Sequence, residues 1–134
     1  MRSEEGRHND QPISSYQDLL VFRKAMDIVE MVYRMSARFP PFENFGLRSQ
    51  ITRAAVSVIT NIAEGQARAT SRDFANFLST ARSSVRETEA LLLVAIRVKY
   101  VTEAEAAPVM SLTDEVSRML LSLRAAVLRR QRKG

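Results

Sequence analysis

The stretch from Gly46 to Arg68, GLRSQITRAAVSVITNIAEGQAR, constrains this chain more than any other. Leu47, Ile51, Ala54, Val58 and Ile62 recur three and four residues apart, which is one apolar stripe on a helix. Gln50, Arg53, Ser57, Asn61 and Glu64 recur at the same spacing and make a polar stripe beside it. A helix facing only a core and water has no need of so ordered a set of polar groups. The second stripe therefore predicts a half-buried contact, either a hydrogen-bonded network inside the fold or an interface between subunits. Arg53 and Glu64 lie about 16 Å apart at about 1.5 Å per residue, so each needs a partner on another element. Glu87 or Glu89 is the expected partner of Arg53.

Three more segments have helical periodicity. The first runs from about Asp18 to Arg38, with its charges on one side and an apolar arc of Leu19 through Met35 covering more than half its circumference. A helix serving one core needs an arc of about 100° or a little more, so the excess predicts self-association. The connection RFPPFENFG follows, in which Phe39, Phe42 and Phe45 are expected to plug the end of the fold. The helix from about Phe45 to Glu64 is expected to stop at a left-handed Gly65. Thr70 and Asp73 spell a capping box for a third helix reaching about Val98, with a core stripe of Phe74, Phe77, Leu78, Ala81, Val85, Thr88, Leu92 and Ala95. After a very short turn, Thr102 and Glu105 open a fourth helix. Its expected core line is Val109, Leu112, Val116, Met119, Leu123 and Ala126, and Pro108 is expected to bend its first turns. Short links between long amphipathic helices make the fold all-α, an antiparallel up-down-up-down four-helix bundle. The bundle is expected over residues 16–128, with a disordered tail at 1–15 and a basic tail at 129–134.

Composition removes most chemistry. There is no cysteine, and the single histidine, His8, lies in the polar N-terminal stretch. Thiolate catalysis, histidine acid/base work and histidine-rich metal sites are thereby excluded. Glu64, Glu87 and Glu89 lack the Glu-x-x-His pairs of di-metal bundles, so no metal and no cofactor are expected. No apolar run has the length of a membrane span and the start has no signal-like core, which leaves the cytoplasm as the expected location. No small-molecule substrate and no enzyme activity are expected.

The net charge is +5, and the chain from Arg118 onward holds five arginines and one lysine without an acid. Arg72, Arg82, Arg86 and Arg97 share the outer side of the third helix. With Arg129, Arg130, Arg132 and Lys133 they are candidate nucleic-acid contacts. No aromatic residue interleaves them, so they read as contacts to phosphate rather than to bases. The competing reading is a solvated face and a tail that complements the helix dipole.

Three stretches carry a family resemblance. Tyr16 to Ala25, YQDLLVFRKA, is similar to an opening F-x-D-L-x-V-W-x-K-A. GLRSQITRAAVS from Gly46, followed by Asn61-Ile-Ala-Glu-Gly65, matches G-L-x-x-Q-I-x-R-A-x-x-S-x-x-x-N-I-A-E-G nearly in full. Phe74, Phe77, Leu78, Ala81, Ser84, Glu87 and Glu89 fall on the pattern of a third helix. Over about residues 16–125 the chain resembles the proteins encoded in intervening sequences of bacterial 23S ribosomal RNA genes. It departs from them at Thr52, Lys99 and Pro108. The resemblance implies a ring-shaped homo-oligomer, a pentamer. It also implies a distant relation to accessory proteins of diversity-generating retroelements, which bind a reverse transcriptase and nucleic acid. Two functions follow as expectations: an oligomeric scaffold that contacts RNA or an RNA-associated protein, or a self-assembling protein-interaction module with no nucleic-acid role.

Overall fold

A computed structural model describes the backbone of residues 12–133 and the side chains of residues 18–130. Its helices are α1 (Pro12–Ser36), α2 (Leu47–Gln66), α3 (Ser71–Arg97) and α4 (Glu103–Lys133), with a single 3-10 turn at Pro41–Glu43. α1 packs on α2 and α4, and α3 packs on the same two, so the four helices close a square in which neighbours run antiparallel. The fold class is the expected four-helix bundle.

Helix ends follow from local chemistry. Pro12 opens α1, a position that lacks an intrahelical N–H partner in any case. This corrects the expected tail: residues 12–15 belong to α1, while residues 1–11 lie outside the described residues. The Asp73 amide donates to Thr70 Oγ1 at 3.1 Å, which caps α3. At α4 the box is reciprocal, with Glu105 N to Thr102 Oγ1 at 3.0 Å and Thr102 N to Glu105 Oε1 at 2.9 Å. That amide, above all, holds the Glu105 carboxyl below its ordinary range. α3 ends in a Schellman motif: Tyr100 N donates to Ala95 O at 2.9 Å, and Lys99 N to Ile96 O at 3.0 Å. The motif demands a left-handed residue, and Lys99 supplies it at φ 69°.

The core is a continuous apolar column. Val21, Ala25, Ile28, Val32 and Met35 come from α1, and the whole Leu47–Ile62 stripe comes from α2. Of the expected α3 stripe only Phe77 is half-buried, and the rest is buried. On α4 the expected line is corrected. Val109, Val116 and Leu123 are buried as expected, but Thr113, Leu120 and Val127 complete the seam. Leu112, Met119 and Ala126 stand half-buried on its flank. Both lines obey a heptad, and apolarity alone favours the wrong one. Thr113 becomes a core residue because its hydroxyl donates to Met110 O at 2.9 Å, which satisfies the polar atom within its own helix.

Two further expectations are overturned. Phe39 is buried against Tyr100, with ring centroids 5.4 Å apart, but Phe42 and Phe45 are 78% and 98% exposed. The 3-10 turn carries them outward, so only one phenylalanine plugs the bundle end. Gly65 lies inside α2 with ordinary φ, and the C-cap is Ala67 in a right-handed conformation. Glycine is needed there for space: a Cβ would stand 2.8 Å from Phe74 Cδ1 and 2.9 Å from Phe77 Cβ. The basic segment expected from residue 129 is helical as far as Lys133.

Candidate functional site

The polar stripe of α2 divides into a half-buried centre and solvated ends. Ser57 Oγ lies 2.8 Å from Ser84 Oγ on α3, and Asn61 Nδ2 donates to Ser57 O at 2.8 Å and to Ser57 Oγ at 3.0 Å. Thr88, fully buried, donates to Ser84 O at 2.8 Å. This is a satisfied network across the α2–α3 interface, which fixes the register of two helices. The ends differ. Gln50 is exposed. Arg53 is exposed too and donates to Ser49 Oγ at 3.0 Å, with no acidic partner among the described residues. The expected pairing of Arg53 with Glu87 or Glu89 is therefore corrected for the single chain: Glu87 is exposed, and Glu89 lies 4.0 Å from Arg86. Glu64 pairs with Arg68 at 2.8 Å, one helical turn away, and Arg68 also stands over the Phe77 ring at 4.6 Å.

The candidate nucleic-acid contacts are spread along the molecule. Arg72 and Arg97 are exposed near opposite ends of α3, about 37 Å apart at about 1.5 Å per residue. Arg129 is exposed and Arg130 half-buried, while Arg132 and Lys133 lie outside the described side chains. Arg82 and Arg86 do come together. They line a cleft of about 290 Å³ between α3 and α4, where Arg124 joins them from α4. Arg82 Nε donates to the buried Ser117 Oγ at 3.0 Å. Sequence reading missed Arg124, although it sits four residues after the seam residue Leu120 and thus beside the α3 interface.

A larger recess of about 790 Å³ lies where the start of α1, the α2–α3 link and the end of α4 meet. Asp18 and Arg130 both line it. Burial raises the Asp18 carboxyl to about 6, against the opposing pull of the Arg130 charge. Among the described residues no cluster of three metal-ligating side chains forms, and no helix is long and apolar enough to cross a membrane.

An exposed apolar line runs along α1. Leu19, Met26 and Tyr33 repeat every seven residues and are 55%, 49% and 46% exposed. Phe22 and Val29 stand half-buried between them. Together they form the 3-4 spaced seam of a helix that expects a partner helix.

Comparison with known proteins agrees with the fold. No curated protein matches the chain. The solved structure of a protein with unknown function from the S23 ribosomal protein family of Bacteroides thetaiotaomicron superposes with a TM-score of 0.74 at 26% identity. The match covers 81% of this chain and 98% of that one. The family model described as 23S rRNA-intervening sequence protein matches residues 17–122. The chain belongs to the 23S rRNA-intervening sequence protein family.

Proposed function

We propose that this protein is a self-assembling helical-bundle scaffold, without catalytic chemistry of its own, whose basic outer side contacts RNA. The observation that carries the reading is the exposed seam on α1. A stripe of Leu19, Phe22, Met26, Val29 and Tyr33 left in water is a large apolar patch for so small a domain, and a second copy of the chain is the partner always at hand. Ring closure as a pentamer is the form the family resemblance suggests. A ring presents several copies of each arginine face to one RNA, and linked weak contacts then act together. The non-catalytic part of the reading rests on the absence of cysteine and on a single histidine in the chain.

Exposed Phe42 and Phe45 favour a second reading, a module that binds another protein and no nucleic acid. Retention on heparin and on immobilised RNA separates the two. A scaffold for RNA is retained at low salt and released as salt rises, because phosphate contacts release counterions. Elution in the void at low salt from both columns contradicts RNA contact and leaves the protein-interaction module.

A further inference from the structure

We infer that the cleft between α3 and α4 seats a phosphate group of a nucleic-acid backbone, held by Arg82, Arg86 and Arg124. The inference deepens the RNA reading above and rests on it.

Ser79, Arg82, Ser83 and Arg86 recur at positions i, i+3, i+4 and i+7, so they share one face of α3. That face meets α4 over a floor of buried Leu78 and Leu120, and Arg124 closes the other wall. The lining residues include three arginines and two serines and no carboxylate.

Three arginines elsewhere in the chain are neutralised at close range. Arg34 lies 2.6 Å from Glu30, Arg68 lies 2.8 Å from Glu64, and Arg118 contacts Asp114, each one turn away. The three cleft arginines, gathered in one place, have no carboxylate at hydrogen-bonding distance among the described residues. Arg86 has its nearest carboxylate, Glu89, at 4.0 Å, the limit of an ion pair. Arg82 is anchored at Nε by Ser117, which leaves its two terminal amino groups without a partner among the described residues. Arg124 Nε is buried without a hydrogen-bond partner among the described residues. Three guanidinium groups lining one cleft repel each other, and a buried N–H without an acceptor is costly. A tetrahedral oxyanion relieves both, because guanidinium forks bind phosphate oxygens in charge-assisted pairs and serine hydroxyls donate to the remainder.

The size of the cleft and its lack of aromatic residues select the ligand. About 290 Å³ stands at the lower end of the usual range of ligand pockets and suits a small group. No aromatic ring lines it to stack a base. It suits a phosphate presented on a chain, read without regard to sequence.

The test is fluorescence polarisation with a labelled oligouridylate of about 20 nucleotides in about 50 mM salt. The proteins are wild type, Arg86→Gln/Arg124→Gln, and Arg34→Gln as a basic control on another helix. The double variant is expected to bind about tenfold more weakly, with its log-affinity against log-salt slope flattened by roughly 1.4, about 0.7 for each lost contact. The control is expected to stay within about twofold of wild type. Thermal melting and light scattering on each protein confirm fold and assembly. Should the double variant fail to fold, Arg86→Gln alone, at an exposed position, is expected to weaken binding severalfold. Wild-type affinity in a folded cleft variant overturns the cleft and leaves RNA contact by other arginines standing. No binding of wild type at low salt overturns the cleft and the RNA reading together. Cleft-dependent binding of inorganic phosphate by a wild type that does not bind the oligonucleotide overturns the backbone assignment in favour of a small phosphorylated ligand.

Discussion

The Tyr100 hydroxyl donates a hydrogen bond of 2.7 Å to Glu43 Oε2, and this bond joins the α3–α4 turn to the 3-10 turn that precedes α2. The other oxygen of Glu43 accepts from the Leu47 amide at 2.8 Å, so one carboxylate caps α2 and holds a loop 57 residues distant in sequence. The Leu47 amide, and then the Tyr100 hydroxyl, hold Glu43 below its ordinary 4.5, and the same bond pushes Tyr100 above 10.0. The depressed carboxyl contributes stability that is present above 4.5 and is lost as pH falls through its folded value. The raised phenol contributes stability that is lost as pH rises through its folded value, above 10.0. Tyr100→Phe is therefore expected to lower the melting temperature at pH values between the two, with the difference shrinking in acid as Glu43 protonates. Equal losses at every pH would show that the hydroxyl acts without the ionised Glu43 carboxylate.

Asp18 is expected to behave in the opposite sense. Burial raises its folded value to about 6 from 3.8, so its contribution is most favourable below 3.8 and is lost as pH rises through about 6. Asp18→Asn should raise the melting temperature at neutral pH and change it little in acid. A neutral-pH loss of stability in this variant would mean that attraction to Arg130 outweighs burial.

Gly65→Ala separates packing from helix propensity. Propensity alone favours alanine inside a helix by about 1 kcal/mol. Contact with Phe74 at 2.8 Å and Phe77 at 2.9 Å opposes it, and overpacking of this kind costs roughly 1–3 kcal/mol. Denaturant unfolding is expected to show net destabilisation. A more stable variant would mean that the two rings move aside freely.

Lys99→Gly is expected to stabilise the bundle by about 1 kcal/mol, the cost of a left-handed L-residue at the Schellman position. Chemical denaturation measures it directly. An unchanged or lower midpoint would point to a compensating contact made by the lysine chain.

Most of the bundle was legible because apolar period and capping chemistry are local. Leu47 through Ile62, Thr70 with Asp73, and Thr102 with Glu105 all stand where their spacing places them. The α4 seam was misread because Leu112 and Met119 look more buried than Thr113, whose bond to its own helix is invisible in a hydropathy pattern. Gly65 was misread for a related reason: a stop signal and a close-packing signal use the same residue. The candidate site was less legible. Ser57 and Asn61 joined a network as expected, but its partners Ser84 and Thr88 depend on how two helices meet. Arg53 is exposed in the single chain, and Arg124 reaches the α3 arginines only through the α3–α4 register.

Self-assembly through α1 is the central claim, and solution mass tests it most directly. Light scattering on wild type at micromolar concentration is expected to give a whole-number multiple of 15.1 kDa, with a pentamer favoured by the family resemblance. Leu19→Glu/Met26→Glu, at two exposed seam positions, is expected to fall to 15.1 kDa while keeping its helical circular dichroism. A wild type that scatters as a monomer of 15.1 kDa, or a seam variant that assembles as wild type does, would contradict the claim.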